Sequence, residues 1–222
     1  MINLDDKLQK AYYIILGILI LIFFTKDINL NDKFYKNIKL INNPNDLLVL
    51  VNKNNQLQSN YIPSDLKSIS LKFANADKYL KKEAQEQFEK LSYNASLLNY
   101  KIIAVSAYRD YSYQKQLFDY YTENKGLEYA LDCSAKPGHS EHQTGLAVDV
   151  AGSNNDYDNF EKTKEFDWMK KNAYKYGFIM RYPKGKESIT GFKYEPWHYR
   201  YVGESVAEYI YKNNLCFEEY IK

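Results

Sequence analysis

The chain has 222 residues, enough for one well-buried domain with appendages. Its 30 Lys and Arg are scattered among 28 Asp and Glu for a formal net charge of +2, without the clustered basic face that nucleic-acid binding requires. With only three histidines and two cysteines, there are few places where imidazole or thiolate chemistry can sit.

Residues 1–10 are polar and carry Lys7 and Lys10; residues 11–24, AYYIILGILILIFF, are an uninterrupted apolar run closed by Lys26 and Asp27. The run is shorter than the roughly 20 residues of a comfortable spanning helix but too apolar for an ordinary core helix. No small-residue cleavage pattern follows it and no cysteine offers a lipid attachment site, which favours an uncleaved signal anchor over a removed signal peptide. The two lysines then stay in the cytoplasm and the rest of the chain lies outside. The expected organisation is an anchor over residues 1–27, a stalk rich in Asn, Asp and Lys over 28–45, and one domain over 46–222.

Within that domain, residues 46–52 (DLLVLVN) are predicted as a short strand, and residues 52–66, with Pro63, as loop. Apolar residues at Leu80, Ala84, Phe88, Leu91, Ala95 and Leu98 predict an amphipathic helix over 77–98. Residues 101–107 (KIIAVSA) predict a strand that delivers Tyr108 and Arg109 to its end. A helix over 112–124, with Ser112 as its N-cap, puts Gln114 in the first turn near Arg109. A guanidinium at a strand end suits a substrate oxygen and a developing oxyanion. Residues 126–138 form a connection containing Cys133; a disulfide with Cys216 is possible in an exported protein.

Next comes KPGHSEHQTGLAVDVA, residues 136–151, which holds His139 and His142; the third histidine, His198, lies in YEPWHYRYVG, residues 194–203. His142, Asp149 and His198 supply two imidazoles and a carboxylate, a set suited to one catalytic zinc with an open fourth position. Glu195 is placed to act as general base. His142 and Asp149 are seven residues apart, so on one continuous strand they would face opposite ways. On a helix they would sit about 10 Å apart along the axis. The chain therefore bends at Gly145, with His142 in a turn and Asp149 on a strand over 146–151. His139 is read as pocket rim. Residues 160–176 predict a helix stopped by Gly177, and a strand, loop and strand then carry Glu195 and His198. Pro196 excludes a helical zinc motif there. Trp197 and Tyr199 line the pocket or fill core, Arg200 is structural, and residues 204–211 form a closing helix.

SEHQTGLAVD, residues 140–149, resembles the SxHxxGxAxD signature of zinc D,D- and L,D-carboxypeptidases of the VanY and LdcB type, in the lysostaphin/D-Ala-D-Ala-peptidase/sonic-hedgehog group. EPWHYR, residues 195–200, resembles that family's ExWH motif. SAYRDYSYQ, residues 106–114, resembles SGYRSxxxQ, with Ala107 and Asp110 departing from it. The resemblance spans residues 47–203 and implies an α+β fold, a small antiparallel sheet with flanking helices. It implies metal ligation by His142, Asp149 and His198, catalysis by Glu195 with Arg109, and substrate contacts by Arg109, Gln114 and Ser140. The implied substrate is a peptidoglycan stem peptide losing a C-terminal D-alanine. An endopeptidase, or a metal-bearing wall-binding module without hydrolysis, are the other readings.

Overall fold

The computed structural model describes residues 34–153 and 155–222. The anchor expected over residues 1–27 lies outside them, as do residues 28–33 of the expected stalk. No helix among the described residues is long and apolar enough to cross a membrane.

The compact unit runs Ile38–Lys222. In chain order its elements are β1 (Lys39–Leu40), β2 (Asn55–Gln56), β3 (Leu66–Ser68), β4 (Tyr79–Lys81), α1 (Lys82–Ser96), β5 (Ile103–Ser106), α2 (Tyr111–Lys125) and α3 (Leu127–Cys133). These are followed by β6 (Ala147–Ala151), α4 (Lys164–Asn172), β7 (Phe178–Met180), α5 (Glu187–Thr190), β8 (His198–Tyr201), α6 (Glu204–Lys212) and α7 (Phe217–Ile221). The central sheet has the order β5-β6-β8-β7, every pairing antiparallel, with two small two-stranded pairings beside it. This is the mixed architecture expected, a small sheet flanked by helices.

The stripe Ala84, Phe88, Leu91 and Ala95 of α1 is fully buried and joins Val148 and Val150 of β6 and Phe178 of β7 in the main core. Phe88 meets the Phe178 ring edge-on at 6.1 Å. Removing a side chain of that size from water contributes about 2–3 kcal/mol. The helix starts later than its periodicity predicts. Leu80 is buried, but as part of β4, which pairs with β3 in the register Lys67↔Leu80. An apolar residue just before a helix satisfies either period, and backbone pairing decided between them.

Residues 46–52 are not a strand; Asn52 makes only an isolated bridge to Asn55. The carbonyls of Leu47 and Val49 are instead taken by the Arg200 guanidinium, at 2.9 and 3.0 Å. Helix α2 is capped by Asp110, whose carboxylate accepts from Tyr113 N at 2.7 Å, and Ser112 lies inside its first turn. The connection over 126–138 contains α3. The predicted helix over 160–176 is broken by the extended Thr163, which caps α4 by accepting from Phe166 N at 3.1 Å. Gly177, at φ +78°, ends the following turn as predicted. Helix α7 was not expected. Cys133 is exposed and Cys216 buried; both are free thiols, so the possible disulfide is absent.

Candidate active site

The site rests on one cross-strand pair and one turn. In the β6–β8 register Asp149 stands directly opposite His198, and across β5 it stands opposite Ser106. His142 comes from a single 3-10 turn, Glu141–Thr144, capped by Ser140 Oγ, which accepts from His142 N at 3.3 Å. Gly145 closes that turn at φ +69°, the bend that the odd spacing of His142 and Asp149 demands. A Cβ there would come within 2.8 Å of Leu66 Cδ2.

The donor atoms converge. Ligand atoms of His142, Asp149 and His198 all lie within 4.8 Å of one another. His142 Nδ1 is 2.6 Å from the Ala107 carbonyl, which places its proton on Nδ1 and leaves the Nε2 lone pair facing Asp149 Oδ2 at 3.2 Å. His198 Nδ1 is 3.0 Å from Asp149 Oδ1, yet that oxygen is buried and makes no hydrogen bond. Facing acceptors at 3.0–3.2 Å repel unless a proton or a cation sits among them. Each imidazole nitrogen faces one oxygen of Asp149, and the three donors lie close enough together for an ion to reach them all. The donor set suits a metal ion.

Electrostatics agree with that fit. Burial, with the Arg109 charge, lowers the His142 pKa to about 4, keeping the imidazole neutral. Burial works against charge on His198 too, but Asp149 and Glu141 overcome it and raise its pKa to about 9. Asp149 lies well below the usual carboxylate range despite its burial, because both imidazoles face it. The pocket thus attracts positive charge to the space beside Asp149, and a proton on His198 or a divalent cation supplies it equally.

Glu195 Oε2 lies 3.6 Å from His198 Nδ1, and burial pushes its pKa up to about 7. Arg109 stands 3.6 Å from Asp149, with Nη1 donating to Ser106 Oγ at 2.9 Å and Nε to Gln114 Oε1 at 3.2 Å. Glu195, Arg109, Asp149 and both imidazoles line a cavity of about 800 Å³ together with Ser140 and an aromatic wall that includes Tyr157 and Trp197, whose rings meet at 5.4 Å. Tyr199 is buried core instead.

Two expectations change. Gln114 is 1 % exposed, and its Nε2 donates to Ser134 Oγ at 3.0 Å and Ala135 O at 2.8 Å. Its amide is engaged within the protein, and it reaches the cavity by orienting Arg109. His139 is not rim: it is buried away from the cavity, with Nδ1 2.9 Å from the Asn52 carbonyl. The sequence reading also passed over Glu141. Its carboxylate is fully buried against Arg181 Nε at 2.7 Å and Arg200 Nη1 at 2.8 Å. The available signal was an arginine embedded in each of two apolar strand segments, which demands a buried partner.

Residues 77–204 match the VanY family model, described as D-alanyl-D-alanine carboxypeptidase. YodJ of Bacillus subtilis (strain 168) is 42% identical over 209 residues, spanning 88% of this chain and 77% of that one. Among solved structures, the LdcB LD-carboxypeptidase superposes with a TM-score of 0.78 at 44% identity, over 84% of this chain and 90% of its own. A VanY D,D-pentapeptidase from a VanB-type resistance cassette, solved with Zn(II), gives 0.68 at 34% identity, over 79% and 98%. The three sequence motifs, the one cavity they share and these likenesses agree, and the chain belongs to the VanY D-alanyl-D-alanine carboxypeptidase family of peptidoglycan-processing metallopeptidases.

Proposed function

We propose that the protein removes the C-terminal D-alanine from peptidoglycan stem peptides, using one zinc ion held by His142 Nε2, Asp149 and His198 Nδ1. The observation that carries this reading is the buried, bondless Asp149 oxygen facing an imidazole nitrogen, beside a carboxylate free to act as base. Two nitrogens and one oxygen with an open fourth position is a zinc-hydrolase set, and the VanY relative was solved with Zn(II). When bound, such an ion would supply Lewis acidity to the peptide carbonyl and to the attacking water.

The chain's own residues do the rest. Glu195 takes a proton from the attacking water and returns it to the departing amine, a role served by a carboxyl pKa near the working pH. Arg109, held in place by Gln114 and Ser106, faces the oxyanion that develops on the scissile carbonyl. Trp197 and Tyr157 offer the peptide an aromatic wall along the cavity. A module that only binds cell wall has no use for a half-buried carboxyl with its pKa raised to about 7 at this place, which favours hydrolysis. The larger structural likeness is to the LD-carboxypeptidase, and we take the tetrapeptide stem as the preferred substrate. The apolar run over residues 11–24 suits a membrane anchor with the domain on the outer face, beside the polymer.

Mass analysis of tetrapeptide and pentapeptide stems incubated with the protein tests this. The expected product is the tetrapeptide shortened by one D-alanine, with Glu195→Ala inactive. Failure to release D-alanine, internal cleavage, or a fully active Glu195→Ala protein would contradict the reading.

A further inference from the structure

The geometry points to Glu141 as a positioning residue that sets which nitrogen His198 presents to the centre of the site, and to Arg181, Arg200 and Glu218 as the groups that aim it; this rests on the metal reading proposed above.

The two imidazoles face the centre with opposite nitrogens, His142 with Nε2 and His198 with Nδ1. For His142 the choice is made from outside, by the Ala107 carbonyl on Nδ1. For His198 the outer nitrogen is Nε2, and the group facing it is Glu141 Oε2 at 3.6 Å. That distance is longer than a hydrogen bond. Both atoms are nevertheless buried, and neither has another hydrogen-bond partner. Each is the other's way out of an unsatisfied burial, and a shift of well under 1 Å joins them.

The surrounding charges explain why Oε2 is free. Arg181 Nε and Arg200 Nη1 both donate to the other oxygen, Oε1. Arg181 is in turn gripped by Glu218, Nη1 to Oε2 at 2.8 Å and Nη2 to Oε1 at 2.7 Å. Arg200 is fixed by Leu47 O, Val49 O and Tyr201 O. Two arginines and two glutamates are thereby buried with no net charge. An apolar cluster would fill the same space at lower desolvation cost. The network differs from such a cluster in leaving one carboxylate oxygen aimed at His198. A carboxylate behind a ligating imidazole fixes its tautomer and raises its donor strength.

Glu141→Gln tests this directly. Its carbonyl would stay with the arginines and its NH2 would face His198 Nε2, driving the ring proton to Nδ1 and the centre of the site. The expected result is zinc affinity, read by chelator competition, lower by about 10- to 100-fold. Glu218→Gln is the comparison: it loosens the same network one step away from His198 and should cost thermal stability while lowering zinc affinity clearly less than Glu141→Gln does. The wild-type protein gives a second readout that needs no variant. With three histidines in the chain, the His198 Nε2 proton can be assigned by nitrogen-correlated NMR. It should exchange slowly with or without zinc. Equal zinc affinities for Glu141→Gln and wild type, or a wild-type His198 whose Nε2 carries no protected proton, would overturn the assignment. A wild-type protein that binds no zinc would instead strike the metal reading, and the Nε2 proton would still decide the role of Glu141.

Discussion

Asp149 is approached by three cationic or cation-seeking groups, two imidazoles at 3.0 and 3.2 Å and the Arg109 guanidinium at 3.6 Å, while Glu195 stands 3.6 Å from the inward-facing Nδ1 of His198. Holding charge and moving protons are thus separated between two carboxyls. Asp149 stays ionised, whereas Glu195 is brought by burial to about 7, where it can both accept and release a proton. Glu195→Gln should therefore retain zinc binding but lose about 10²- to 10⁴-fold in kcat, checked by D-alanine release. Arg109→Ala should lower kcat by about 10²- to 10³-fold, as when one oxyanion donor is removed. Its zinc affinity should be unchanged or higher, since a positive charge leaves the neighbourhood of the ion. The placement of His142 and His198 in two dense motifs made their cluster with Asp149 readable from the sequence. Glu141 was not readable, because a glutamate beside a serine in a polar string looks solvated until the two arginines that claim it are seen.

At the scale of elements, the turn between His142 and β6 decides whether the ligands meet. Gly145→Ala would place a non-glycine residue at φ +69°, with its Cβ 2.8 Å from Leu66 Cδ2 and 3.3 Å from the Lys81 backbone nitrogen. The expected cost is about 1–3 kcal/mol, measured by urea unfolding, with weaker zinc binding as His142 is displaced. This bend was legible because the alternation of a strand cannot serve both ligands. So were the stripe of α1, the strand β5 and the glycine stop before β7, all set by local periods and conformations. The errors were non-local. Residues 46–52 have the composition of a strand, but their carbonyls are taken by Arg200, more than a hundred residues away in sequence. Leu80 joined a strand instead of the helix after it because β3 was available to pair.

In the molecule as a whole, the C-terminal helix α7 is tied to the site through charge. Glu218 holds Arg181, and Arg181 holds Glu141, beside His198. Glu218→Ala would leave a fully buried guanidinium half-paired, and a cost of about 3–5 kcal/mol is expected in denaturant unfolding. Nothing local in the last residues predicts this, since a short acidic helix reads as solvated. The account as a whole stands on one metal ion serving one general base in the cavity these elements surround. The direct measurement is to strip the protein of metal and titrate zinc back while following D-alanine release from a stem tetrapeptide. Activity should be absent at the start, rise in proportion to added zinc and level off at one equivalent. Release that is indifferent to metal removal, or that levels off only at two equivalents, would contradict the account.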